Sequence, residues 1–127
     1  MKTPHDLRYT QNHEWIRPEG DEATIGITDY AQSELGEIVF VDLPALGDQL
    51  ETQAVFGSIE AVKTVSDLFL PAGGEVVAIN ETLDEHPEQV NDAPYGAGWL
   101  IKIKLTDAEA LSKLMDAESY GQWTGKS

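Results

Sequence analysis

The chain contains no cysteine. A disulfide framework, a thiolate nucleophile and a thiolate metal site are therefore excluded, and any redox chemistry must come from a group outside the twenty side chains. Positive charge is scarce as well: 8 lysines and arginines stand against 23 aspartates and glutamates, a formal net charge of -15. Such a field repels phosphate, which argues against nucleic acid or an anionic membrane as partner and favours basic protein surfaces. Apolar runs are short, and none approaches the roughly 20 residues that cross a bilayer. Met1–Arg8 has neither the apolar stretch of a signal peptide nor the Arg- and Ser-rich character of a transit sequence. The expected location is the cytoplasm of a bacterium.

What is present suffices for one core. With 127 residues, 41% of them hydrophobic, the sequence predicts a single domain over 1–127. Glu14–Arg17 and Ala23–Ile27 read as strands joined through the turn formers Pro18-Glu19-Gly20-Asp21. A brief helix follows, capped near Thr28 or Asp29 and stopped by Gly36, with Ala31 and Leu35 on one face. Ile38–Val41 is apolar on both faces and predicts a buried strand. Thr82–Pro94, polar and interrupted by Pro87 and Pro94, reads as a loop with one helical turn. Trp99–Leu105 alternates, with Trp99, Ile101, Ile103 and Leu105 expected in the core. Thr106 and Glu109 have capping-box spacing ahead of a short helix through Leu111, Leu114 and Met115, with further helical turns over Asp116–Trp123. Turn signals at such short intervals predict a mainly β sandwich or barrel with small helical additions.

Lys63 is the only lysine or arginine between Arg17 and Lys102. Period-2 runs flank it, so the turn of a β-hairpin falls near Ala61–Thr64 and lifts the amine into solvent. Three roles compete for it. A solvated turn lysine is the plainest. A Schiff-base nucleophile would need a lowered pKa, which Glu60 and Asp67 oppose. The third is the attachment point of a swinging prosthetic group. Elsewhere, His5, His13 and His86 lack a metal-ligand spacing and read as surface residues. Gly73-Gly74 lacks the flanks of a phosphate loop, and no nucleophile, base and orienting partner can be assembled.

Gly47-Asp48, Glu60-Ala61-Val62-Lys63, Asp67, Pro71 and Gly74-Glu75-Val76 together resemble the signature of lipoyl-carrier domains. The ordered blocks His13-Glu14-Trp15, Thr24–Thr28, Gly36–Val41 and Pro94–Trp99 bring the resemblance closer to the H-protein family of the glycine cleavage system, over nearly the whole chain. Val62 and Thr64 stand where a biotin carrier has Met. The His13-Glu14-Trp15 opening and the Thr106–Trp123 tail are foreign to the lipoyl domains of 2-oxo acid dehydrogenases.

The resemblance implies a barrel-sandwich hybrid of the lipoyl/biotinyl-carrier type, with short helices near the N-terminal third and at the C-terminus, acting as a carrier and not an enzyme. It implies lipoic acid amide-linked to Lys63, with Glu60 read by the lipoylating enzyme. It further implies a cleft for the loaded arm built from Glu14, Asp67, Asn12, Ile27 and Leu35, with Glu14 and Asp67 holding the protonated amine. The implied partners are the P protein, which decarboxylates glycine, the T protein, which transfers the aminomethyl carbon to tetrahydrofolate, and the L protein, which reoxidises the arm. An H-like relay supplying lipoyl groups to other enzymes, and an unmodified interaction module, are the alternative expectations.

Overall fold

The computed structural model describes residues 4–124; Met1–Thr3, part of the stretch read above for targeting signals, and 125–127 lie outside the described residues. Two sheets face each other. The larger has strand order β1-β2-β3-β9-β8-β5, comprising β1 (Arg8–Tyr9), β2 (Glu14–Glu19), β3 (Glu22–Ile27), β5 (Gln49–Leu50), β8 (Gly74–Ile79) and β9 (Ile101–Leu105). The smaller is β4-β6-β7, comprising β4 (Ile38–Asp42), β6 (Val55–Ala61) and β7 (Val65–Phe69). All of these pairings are antiparallel.

Alternation explains how the sheets close on a core. Ile16, Ile25, Ile27, Ile101 and Ile103 from the large sheet meet Ile38, Val41, Ile59 and Leu68 from the small one, all buried. The neighbouring positions on β1 and β2 point to the opposite face. There Tyr9 and Trp15, paired across the strands, join Leu7, Ala117 and Tyr120 in a second cluster. Trp15 can lie flat there because its cross-strand partner is Gly26: a Cβ at that position would stand 2.6 Å from the indole. The indole N–H donates to the carbonyl of Pro94 at 3.0 Å, and the Arg17 guanidinium lies 5.0 Å from the ring centroid.

The opening hairpin and helix α1 (Asp29–Leu35) form as expected. Thr28 Oγ1 accepts from the Ala31 N–H at 3.1 Å, and Gly36 ends the helix at φ 78°. Four other expectations need correction. In β4, Ile38 and Val41 are buried but Val39 and Phe40 are 43% and 50% exposed. The strand edges a sheet covered on one face only, and a register shift between Ile38 and Phe40 turns both side chains outward. The 82–94 stretch is more ordered than a loop, with a 3-10 turn at Glu81–Asp84 and α2 at Gln89–Asp92, held by buried Leu83 and Val90. Asn91 completes that anchorage, donating to the Gly36 carbonyl and the Gln32 amide oxygen while accepting from the Ile38 N–H.

The third correction is at β9, which starts at Ile101; Leu100 is the buried residue before it, and Trp99 is only half-buried. The fourth is the capping box, which does not form. Asp107 takes the cap position of a 3-10 helix (Ala108–Lys113), and its carboxylate instead accepts from Thr52 Oγ1 at 2.7 Å. Met115 then pairs with Tyr9 as a β-bridge, and Asp116 accepts from the Ser119 N–H to begin α3 (Ala117–Thr124).

Candidate functional site

Lys63 sits where the sequence places it, exposed in the link between β6 and β7. The Ala61 N–H donates to the Thr64 carbonyl at 2.8 Å, which closes the turn. The Val62 N–H donates at 3.0 Å to the carbonyl of Glu37, in the link between α1 and β4. The tip is thus tied to a neighbouring element as well as to its own strands, and an exposed amine stands on a fixed base. Glu60 lies on the outer face of β6, opposite Phe40 on one side and Val65 on the other.

Beside this hairpin is a cleft of about 300 Å³ lined by Asn12, His13, Glu14, Ile27, Tyr30, Ala31, Glu34, Leu35, Ile59, Ser66, Asp67 and Leu68. It brings together all five residues named for the arm cleft: Asn12, Glu14, Ile27, Leu35 and Asp67. Three parts of the fold supply its walls, namely the β1–β2 turn, α1 with the end of β3, and the β6–β7 hairpin itself. Ile27 is buried and Leu35 half-buried, so the apolar lining comes from the core edge. Asn12 and Asp67 are exposed at the rim. Asp67 shares its rung with Ser58 on the outer face of the small sheet, while Ser66 shares one with inward-facing Ile59.

Glu14 is 1% exposed, and its carboxylate is organised from below. Thr10 Oγ1 accepts from the backbone N–H groups of Asn12 and Glu14, both at 3.1 Å, and donates its own proton to Glu14 Oε1 at 2.6 Å. The Phe69 N–H donates to Oε2 at 3.2 Å. Burial pushes the carboxyl up to about 7, although both hydrogen bonds favour the charged form. Each oxygen keeps a lone pair, so an ammonium entering the cleft would meet an acceptor whose own cost of charging it would offset.

His13 is the residue that sequence reasoning misplaced. It is not a bare surface histidine: its backbone adopts φ 67°, its ring lies 4.7 Å from that of Tyr30, and Nδ1 is 2.8 Å from Tyr120 Oη. Tyr120 Oη is in turn 2.6 Å from Thr28 Oγ1. Burial lowers the His13 pKa, with Glu34 opposing. Tyr30 and Glu34 were also missed as lining, though Glu34 is adjacent in sequence to Leu35 and Tyr30 is four residues before it on α1.

An exposed lysine at the tied turn of a hairpin in the smaller of two facing antiparallel sheets, with an acid-floored cleft alongside, defines a carrier fold of the lipoyl type. A profile of the family described as glycine cleavage H-protein matches residues 7–127. The glycine cleavage system H protein of Bacteroides thetaiotaomicron is 60% identical over 120 residues, covering 94% of this chain and 95% of its own. That of Bacillus cereus is 51% identical over 126 residues, covering 99% of each. The crystal structure of a glycine cleavage system H protein from Mycobacterium marinum superposes with a TM-score of 0.88 at 38% identity, covering 96% of this chain and 98% of that one. The chain belongs to the glycine cleavage H-protein family, and is a carrier subunit and not a catalyst.

Proposed function

We propose that Lys63 bears a lipoyl group in amide linkage and that this chain carries the aminomethyl unit from the P protein to the T protein, with the L protein restoring the arm. The observation that carries this reading is the juxtaposition of one exposed amine on a tied turn with a cleft that gathers Asn12, Glu14, Ile27, Leu35 and Asp67. The lipoyl group, when attached, supplies the exchangeable sulfurs that the cysteine-free chain lacks. An arm of roughly 14 Å from the lysine Cα follows from its bond lengths.

Within the cleft, Ile27 and Leu35 cover the aliphatic part of the arm and exclude water. Glu14 accepts a cationic amine on its free lone pairs, and Asp67 adds a second carboxylate from the rim. Glu60, exposed three residues before Lys63, is read by the enzyme that forms the amide. We place the protein in the bacterial cytoplasm, as the expected home of these partners. Among the described residues no helix is long and apolar enough to cross a membrane.

The deciding experiment is digestion and mass spectrometry of protein from its own cells, followed by a glycine cleavage assay of Lys63→Arg. A lipoyl adduct on Lys63, and loss of cleavage in a variant that melts like the parent, are expected. Undiminished cleavage by Lys63→Arg would remove Lys63 from the role.

A further inference from the structure

The outer face of the small sheet carries exposed apolar side chains that the carrier role leaves unused. Residues opposite one another in an antiparallel ladder project from the same face. Phe40, Glu60 and Val65 therefore form one rung across β4, β6 and β7, the rung nearest the Lys63 turn on that face. Phe40 is 50% and Val65 61% exposed, and Val62 in the turn is 68% exposed. The next rung is Asp42, Ser58 and Asp67. Beside the lysine, then, lies an apolar strip with a carboxylate at its centre and further carboxylates behind it.

We infer that this strip, Phe40 and Val65 flanking Glu60, is the docking surface for the enzyme that forms the Lys63 amide. The inference rests on the reading of Lys63 as the lipoyl attachment point. Amide formation sets the geometry. The lysine sheds a proton, its neutral Nζ attacks the carbonyl carbon of an activated lipoyl donor, and the C–N bond forms. The bond from carbonyl carbon to the activating group breaks, and the nitrogen loses a second proton. For this the modifying active site must close on Nζ itself, which brings its surface onto the turn and the rung beside it. Enzymes that act on the sulfurs work at the far end of an arm roughly 14 Å long and have no need of that rung.

Charge is compatible with that occupant. A basic group opposite Glu60, ringed by apolar side chains that meet Phe40, Val62 and Val65, would be desolvated on contact, the arrangement typical of energetically dominant interface positions. The strip also accounts for large apolar side chains in solvent on both edge strands of the small sheet, Phe40 on β4 and Val65 on β7, where polar residues are the usual protection.

The test compares apo parent with Phe40→Ser, Val65→Thr and the retained-apolar control Phe40→Leu. The probe is a lipoate-activating ligase supplied with lipoate and ATP, and mass spectrometry follows Lys63 acylation. Phe40→Ser and Val65→Thr should each lower kcat/KM for acylation about tenfold, as for interface anchors, with unchanged melting, while Phe40→Leu stays close to the parent. Each variant, driven to full acylation with excess ligase, should then be turned over by the L protein at the parental rate. Acylation of both polar variants at the parental rate overturns the inference, as does an equal slowing of the L protein reaction. A parent that accepts no lipoyl group sinks the Lys63 reading itself, which separates the two failures.

Discussion

The Tyr120 hydroxyl lies 2.8 Å from Nδ1 of His13, joining the C-terminal helix to the turn that leads into Glu14. Thr28 Oγ1, 2.6 Å from the same hydroxyl, already accepts the Ala31 N–H. The proton order that leaves no buried hydroxyl idle runs from Thr28 to Tyr120 and from Tyr120 to His13. His13 is then neutral, with its proton on Nε2, in agreement with the lowering of its pKa by burial.

Tyr120→Phe keeps the ring stacked 4.7 Å from Tyr9 but removes this link. It should cost about 1–3 kcal/mol, because the Thr28 proton and the His13 lone pair lose their partner. Urea denaturation measures the loss, and NMR titration should place the His13 pKa higher than in the parent. An unchanged titration would mean that no proton reaches His13 from Tyr120.

Glu14 makes stability depend on pH in an unusual direction. Its folded-state pKa of about 7 exceeds the ordinary 4.5. Between those values the folded chain holds more protons at this site than the unfolded chain, so its contribution is complete below the lower value and is lost as pH rises through the upper one. The shift corresponds to about 3 kcal/mol. Subtracting the pH profile of Glu14→Gln from that of the parent should reveal a fall of this order between pH 5 and 8. Parallel profiles would place the Glu14 titration near its ordinary value.

The net charge of -15 should be felt by the partners before contact. Raising ionic strength should weaken association with the P or T protein, chiefly by slowing the on-rate, since surface charges more than about 10 Å apart are screened at 0.1 M salt. Stopped-flow association at low and moderate salt tests this. An on-rate indifferent to salt would leave the acidity to solubility alone.

Local patterns made much of this architecture legible. Thr28 and Gly36 bound α1 as cap and stop, and the isolation of Lys63 between alternating runs marks the hairpin tip. The family blocks named five cleft residues that lie far apart in sequence, something periodicity alone could not do. What stayed hidden depends on tertiary partners. Val39 and Phe40 have the composition of a buried strand, and only the single-sided sheet and the register shift expose them. The capping box at Thr106 does not form, because the Thr106 and Asp107 N–H groups both donate to the distant Gly73 carbonyl and Asp107 takes the cap position. His13 gave no signal of its partner because Tyr120 is 107 residues away.

The cleft makes its strongest claim in protecting a loaded arm, because an aminomethyl group on sulfur hydrolyses to formaldehyde when water reaches it. Glu14 and Asp67 are not equivalent there. Glu14 is 1% exposed on a floor built by Thr10 and the Phe69 N–H, whereas Asp67 stands exposed on the rim beside Ser58. A charge-assisted hydrogen bond from an ammonium to the sheltered carboxylate is worth about 1.5–3 kcal/mol, and the screened rim acid contributes less. Glu14→Gln keeps an oxygen for Thr10 or Phe69 but cannot balance a cation. In loaded protein freed of the other components it should speed formaldehyde release about tenfold, as the lower end of that range implies, while Asp67→Asn has a smaller effect. Acid should act on the parent as the Gln substitution does: the docked ammonium holds the carboxyl below the value of about 7 that it has in the empty cleft, and the rates of parent and Glu14→Gln should converge as pH falls through that lowered pKa. If Glu14→Gln and Asp67→Asn combined release formaldehyde no faster than the parent at pH 8, the carboxylates do not shelter the arm.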